Sequence, residues 1–362
     1  MSSLNRFLVL LVSLAVACTP VGGKRYSRKE AQKSLTKLEK PGVEVGEFRL
    51  SRVVDGDTVW VDGLDASLRL LGIDAEETFK NEGDRRAVEA DWEGYLKAKR
   101  GTSKRPVKIA SPLGEQAKNW GKAWFAGVDK VRIERDHPAE IRDVYNRYLA
   151  YVVANKNGKW QVYNVELVRA GMSPYFPKYG NSRRYHAEFV KAQEEAKAAQ
   201  RGIWAPGGKH APDYPEREAW WTARGDFVDE FRKEGEGKSN YIDISHWDAL
   251  KVIEDHVGKE VKILGTVADI STGTRGPARA ELARSRFGGF PLIFFDRDVL
   301  GTSGLYEWKG EYIVVTGIPT FYTNKKTGRK SLQIQVERAS QIKLSPIPGL
   351  IAPMVPTVGG NP

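Results

Sequence analysis

The densest group of chemically capable side chains is Asp55-Gly56-Asp57-Thr58, then Arg69-Leu70-Leu71-Gly72-Ile73-Asp74 and Glu76-Glu77-Thr78. Two carboxylates that converge without a neutralising partner repel each other, so a cation is the natural third party to Asp57 and Asp74. The chain has one cysteine and 5 scattered histidines, so the ion expected is a hard one on oxygen ligands. Arg69 and Arg147, the latter in Tyr145-Asn146-Arg147-Tyr148, offer planar forks that suit a phosphodiester. Glu77 lies beyond the paired aspartates, where a carboxylate can orient or deprotonate a water. These roles combine in phosphoryl transfer to water, with cations holding the charge and a carboxylate aiming the nucleophile. Each piece alone has a plainer reading: a turn, a surface ion pair, a solvated helix start. The ordered set is what points to chemistry.

Positioning these groups takes strands followed by helices. Val53–Val61 and Leu68–Ile73 are β-branched, apolar stretches around a Gly63 turn, and pairing them brings Asp57 and Asp74 to one sheet end. Residues 148–154 and 160–163 flank Asn155-Lys156-Asn157-Gly158, which predicts a second hairpin. A helix is expected over 111–125, with Ala117, Trp120 and Trp124 at helical spacing. Another is expected over 183–200, with Tyr185, Phe189, Ala192 and Ala196 on one face and a Schellman-like end at Gly202. Residues 79–110 are polar and basic and read as an inserted surface loop or short helix.

The 362 residues suggest about two domains. Lys+Arg 57 against Asp+Glu 46 leaves a net charge of +11, which favours polyanionic partners. A single cysteine excludes an internal disulfide framework, a Cys-based zinc site and an iron–sulfur cluster. Residues 7–17, FLVLLVSLAVA, follow Arg6 and end in small residues, the layout of a secretory signal over 1–18. Cys18 stands directly after Ala15-Val16-Ala17, as in a lipobox, and is the expected lipidation site. The product expected is an exported cell-envelope lipoprotein, or a secreted one if the signal is merely cleaved. Thr19 after Cys18 points toward the outer rather than the inner membrane. Residues 19–44 read as a basic tether.

The motifs together resemble the staphylococcal-nuclease-like (thermonuclease) family over residues 45–205. The likeness rests on residues 53–59, 68–74 and 77–78, on residues 145–151, on Asn164, Leu167-Val168-Arg169 and Gly171, and on Ile203-Trp204. It implies an OB-type five-stranded barrel with three helices, and a Ca2+-dependent nuclease cleaving DNA and RNA to leave 3′-phosphate ends. Carried over by position, Asp57, Asp74 and the carbonyl of Ala75 would hold calcium. Arg69 and Arg147 would bind phosphate, and Glu77 would be the catalytic carboxylate. Tyr145, Tyr175 and Tyr179 fall at or near substrate-binding positions. Asn146 stands where Gly is usual and suits a left-handed turn. Glu76 stands where Pro is common and would add negative charge beside the metal.

Residues 206–240 read as a linker containing a short amphipathic helix. Residues 241–345 then read as a second, OB-fold-like small barrel, with a helix over 245–254 capped by Ser245 and strands over 259–270, 291–296, 311–318 and 332–337. Arg275, Arg279, Arg284 and Arg286 on its long loop, several exposed-type aromatics and a Lys/Arg-rich hairpin at 325–330 suit single-stranded nucleic acid. Residues 346–362 read as a disordered tail. The expected partners are DNA or RNA and, through the anchor, a membrane, with no obligate protein partner. The competing readings are a non-catalytic surface protein that binds nucleic acid or another polyanion, and a lipoprotein whose second barrel contacts protein.

Overall fold

The computed structural model describes residues 42–350, apart from 275, 286, 287 and 329. The signal, Cys18 and nearly all of the basic tether therefore lie outside the described residues, as does the tail from 351 onward. Among the described residues, no helix is long and apolar enough to cross a membrane.

The first body is a closed five-stranded barrel. Strand β1 (Glu44–Asp55) is long enough to serve two neighbours. Its first half pairs with β5 (Lys130–Glu134) and its second half with β2 (Thr58–Val61), with register shifts that let it bend. β2 pairs with β3 (Leu68–Leu70), and β3 runs parallel to β6 (Tyr148–Lys156), which closes the ring through β5. β4 (Gly72–Ile73) continues beyond β3, and β7 (Lys159–Val162) joins β6 across a turn in which Asn157 and Gly158 both have positive φ. The first seven residues of β6 are all buried, because barrel interior and helices cover its two faces. Val59, Leu68, Leu70, Ile133 and Val152 fill this core, each stabilising the fold by about 1.5–3 kcal/mol.

Two helices of an insertion come next, α1 (Glu82–Ala90) and α2 (Trp92–Arg100), capped by Asn81 and Asp91. The stretch expected as a loop or short helix is thus a helical hairpin. Its Val88 and Tyr95 pack with Ile109, Leu113, Phe176, Tyr214 and Trp221 into a satellite core. So few apolar positions in so charged a stretch gave little periodicity to read. α3 (Pro112–Trp124) is capped by Ser111, whose Oγ accepts from the Gly114 amide. α4 (Tyr163–Arg169) carries the fully buried Asn164. Its side chain donates to the carbonyls of Leu71 and Ala150 and accepts from the Val152 amide, pinning the strand ends that carry the site.

After the short β8 (Tyr175–Phe176), α5 (His186–Ala198) ends in a Schellman motif closed by Gln200, just ahead of Gly202, the glycine expected to do it. Gly202 is required for another reason. A Cβ there would lie 2.0 Å from the carbonyl oxygen of Gly171, so both glycines allow the chain to fold back at Ile203.

The region expected as a linker is instead dominated by α6 (Tyr214–Glu234), 21 residues long. Trp221 packs on Phe176 of the first body, while Phe227 and Val228 join Leu264, Tyr312 and Val314 of the second. The second body contains β9 (Tyr241–Asp243), α7 (Ala249–Asp255), β10 (Val261–Ser271), β11 (Ala278–Ser285), β12 (Gly288–Phe294), α8 (Arg297–Thr302), β13 (Tyr312–Gly317), β14 (Pro319–Thr323), β15 (Lys330–Gln335) and β16 (Ile342–Leu344). Its sheet order is β14-β15-β12-β11-β10-β13-β16, with β9 parallel to β10. Much of the expected long arginine loop is therefore paired strand. Ser245 does not cap α7, because its hydroxyl bonds Asp243 instead, and Trp247 is exposed rather than inward.

Candidate active site

The carboxylates and arginine assemble where β1, β2, β3 and β4 meet. The turn after β1 is held by the Asp57 amide donating to Asp55 Oδ1 at 3.1 Å, and Thr58 Oγ1 donates to Asp57 Oδ1 at 2.9 Å. Opposite, β2–β3 register pairs Thr58 with Arg69 and so aims the guanidinium back at the turn. Nη1 bonds Asp57 Oδ2, while Nη2 lies 2.7 Å from Asp74 Oδ1 and 3.2 Å from the Ile73 carbonyl. The guanidinium therefore bridges both carboxylates, and all three residues are buried. The Asp74 amide is fixed by Ser173 Oγ at 2.9 Å.

Burial alone would raise the Asp74 carboxyl. Lys108 and Arg69 override it and hold the group at about 2. Burial and the neighbouring Asp57 charge push Asp55 up to about 7.

Glu77 is set on the rim. Its amide donates to the Ile109 carbonyl and its carbonyl accepts from the Ser111 amide, so the chain leaving the insertion runs alongside it. Its carboxylate is one-third exposed and faces Lys80 at 3.0 Å and Lys108 at 3.9 Å. Glu76 behaves differently from expectation. It turns inward, accepting from Ser111 Oγ, the Ala211 amide at 2.7 Å and Tyr214 OH at 2.8 Å. It ties the site turn to the start of α6. Glu76→Ala should therefore cost about 1–3 kcal/mol of stability, by leaving buried donors unpaired, while changing kcat only slightly. Thermal melts beside steady-state rates check this.

Arg147 sits in a loop wound around Asp143. Nε and Nη2 lie 2.8 and 2.6 Å from Asp143 Oδ2, and the amides of Tyr145 and Arg147 donate to Oδ1. Asn146 supplies the left-handed residue at φ 69, as its type suggested. Tyr145 is exposed beside the guanidinium, at 5.6 Å. Tyr179 lies among Asp143, Arg69, Arg147 and Asp74, which places both arginines on one side of the molecule. Burial and then Asp143 push its phenol above its ordinary range. Tyr175 is the residue not brought to this group. It stacks on Phe189 at 4.7 Å and its hydroxyl bonds His186 and the Ser182 amide, because β8 directs it into the core.

Two lysines escaped the sequence reading. Lys108, at the end of the insertion, puts Nζ 2.6 Å from Asp74 Oδ1. Lys178, beside Tyr179, is lowered to about 8 by burial and by Arg69. Nothing local marked Lys108, since only the fold returns the insertion to Asp74. Lys178 adjoined a candidate tyrosine but directly followed Pro177, in a stretch with no readable period. Ala75 lines the same small cavity as Asp74, Glu77 and Lys108. The side-chain donors gathered here are carboxylate oxygens, and one ammonium, that of Lys108, already sits within reach of both Asp74 and Glu77. Such a set fits a hard cation.

A five-stranded barrel that gathers paired carboxylates, guanidiniums and a rim glutamate defines a phosphodiester-cleaving nuclease. Comparison with known proteins agrees. Residues 67–206 match the staphylococcal nuclease homologue family. An uncharacterized protein of Methanocaldococcus jannaschii is 32% identical over 158 residues, 43% of this chain and 70% of that one. The thermonuclease of Staphylococcus hyicus is 28% identical over 163 residues, 44% of this chain and 75% of its own. The SPbeta prophage-derived endonuclease YokF of Bacillus subtilis is 28% identical over 167 residues, 46% of each chain. The chain belongs to the staphylococcal nuclease homologue family, and it is a nuclease. Asp57 precedes the family-matched segment, and β2–β3 pairing brings it to Arg69.

Proposed function

We propose that the chain is a Ca2+-dependent phosphodiesterase acting on DNA, RNA or both and leaving 3′-phosphate ends. The observation that carries this reading is the Asp57–Arg69–Asp74 bridge with Glu77 on its rim. Asp57, Asp74 and the Ala75 carbonyl would hold the ion, which when bound supplies positive charge next to the scissile phosphate. Arg69, fixed by two buried carboxylates, and Arg147, fixed by Asp143, present N–H donors to the phosphate oxygens. These donors gain strength as charge builds there in the transition state. Glu77 has a part-exposed carboxylate that can turn from its lysines and take a proton from the attacking water. Tyr179, with Tyr145 at the outer edge, offers a surface for the nucleotide. Hydrolysis of single-stranded DNA should fall to background in chelator and return with added Ca2+. Cleavage that persists in chelator would overturn the calcium assignment and leave the nuclease intact.

The second body is proposed to hold the substrate strand. Phe321 and Tyr322 on β14, with Phe295, are exposed along a groove of about 1370 Å³ that Lys251, Arg279 and Lys330 also line. Aromatic faces beside lysines suit stacked bases, at about 1–3 kcal/mol per base. Phe321→Ala with Tyr322→Ala should weaken oligonucleotide binding at least tenfold in a filter or anisotropy assay without lowering kcat on short substrates. Equal binding by parent and variant would remove the groove from the function. Export and lipidation at Cys18 complete the proposal. Mass spectrometry of the membrane fraction tests them, by showing a diacylglyceryl-modified Cys18 or an unmodified N-terminus.

A further inference from the structure

A second group of metal-ligating side chains lies between the two bodies and is joined to the Tyr179 segment through Arg232, whose Nη2 lies 3.2 Å from Glu140 Oε1 and 2.7 Å from the Tyr179 carbonyl. His137 and Glu140 belong to the segment joining β5 to β6, and His246 to the turn after β9. Their candidate ligand atoms all fall within 4.8 Å of one another. Glu140 is buried, and the imidazoles of His137 and His246 lie 4.7 Å apart and nearly parallel. The decisive feature is His246 Nε2, which is buried and has no hydrogen-bond partner. The nearest carboxylate oxygen, Glu140 Oε1, is 3.8 Å away. That is too far for a hydrogen bond. It is close to the separation of two ligands on one tetrahedral zinc, about 3.4 Å for bonds of about 2.0–2.1 Å.

We infer that His137, Glu140 and His246 form a zinc-binding site that clasps the second body to the nuclease barrel, with water as the fourth ligand. Two imidazoles and a carboxylate are a borderline-soft set suited to Zn2+, unlike the oxygen donors at Asp57 and Asp74. His137 and Glu140 are already in the required protonation states. Burial and the adjacent His246 hold His137 at about 4, so it is neutral at physiological pH. Against its burial, His246 and Arg232 keep Glu140 ionised at about 2. His246 itself is raised, also against its burial, by contact with Glu140 and the charges of Asp243 and Asp248, so binding of zinc releases a proton there. Around the cluster stand the carboxylates of Asp136 and Asp243 and the guanidiniums of Arg183 and Arg232, the last 3.2 Å from Glu140 Oε1. Arg232 orients the carboxylate from the side, as an outer-shell partner does.

Binding requires the nearly parallel rings to turn about their Cβ–Cγ bonds so that their lone pairs converge. It also displaces or repositions the contact in which the Ala139 amide donates to His137 Nδ1. The backbone across the junction is already joined, with the Trp247 amide donating to the Ala139 carbonyl at 3.1 Å. The same segment leads through Asp143 to Arg147, so the clasp braces the loop that presents the second arginine.

The test uses the full chain, freed of metal by chelator and titrated with Zn2+ alone against a chromophoric competitor, with Co2+ as a spectroscopic probe. The expected result is one Zn2+ per chain, a visible Co2+ spectrum of four-coordinate intensity, and a melting temperature raised by several degrees. His246→Ala and the milder His246→Gln should each abolish all three, while Asp74→Ala leaves them. Absence of stoichiometric zinc would overturn the site, leaving His246 as an imidazolium near Glu140. Zinc retained in both His246 variants but lost in Asp74→Ala would overturn it equally, by placing the ion at the hydrolytic carboxylates. Circular dichroism of each variant separates loss of the site from loss of the fold.

Discussion

Glu77→Gln should lower kcat by about 10²–10⁴-fold, the usual contribution of a positioned general base, with KM changed only a few-fold. The amide keeps the size and hydrogen-bonding reach of the carboxylate and loses only its basicity. The fold should barely notice. The side chain is one-third exposed and its ionic partners are the largely exposed Lys80 and the half-exposed Lys108. Exposed pairs of this kind contribute about 0–1 kcal/mol. Single-turnover rates on a defined oligonucleotide, beside a thermal melt, separate the two effects. A loss smaller than tenfold would mean that another group activates the water.

The two arginines should fail in different ways. Arg147→Ala is expected to cost about 10²–10³-fold in kcat, as removal of a transition-state donor does, with a small change in stability. Its guanidinium is partly exposed, and Asp143 keeps the amides of Tyr145 and Arg147 as donors. Arg69→Ala should lose comparable activity and also about 3–5 kcal/mol of stability, because Asp57 and Asp74 lose the buried positive charge they share. A bound divalent ion would replace part of that charge. Added Ca2+ should therefore raise the melting temperature of Arg69→Ala more than that of the parent. Melts with and without Ca2+ check the sign, and an Arg69→Ala protein as stable as the parent would show that the bridge is not structural.

What the chain alone determined was mostly local. Asp57, Arg69, Asp74, Glu77 and Arg147 could be named because their order and spacing persist whatever surrounds them. The strands beside them could be drawn because β-branched runs and an Asn-Gly turn are short-range signals. The 111–125 helix was legible for the same reason, with a serine cap, a proline at its start and apolar residues at helical spacing. Tertiary structure decided everything that depends on distant packing. Strand β11 hid behind Arg279 and Arg284 because its pairing, rather than its composition, makes it a strand. The helix of 21 residues between the bodies looked like linker because its apolar residues serve two different cores instead of one stripe. Tyr175 and Tyr179 were equivalent in sequence, and two residues of β8 and its exit sent one into the core and the other to the arginines. Glu76 and Glu77 are adjacent, yet one became a buried strut and the other a part-exposed carboxylate on the rim, because successive residues of an extended segment point to opposite sides. Lys108 and the His137–Glu140–His246 cluster exist only where segments far apart in the chain are folded against one another, a relation that spacing along the sequence does not encode.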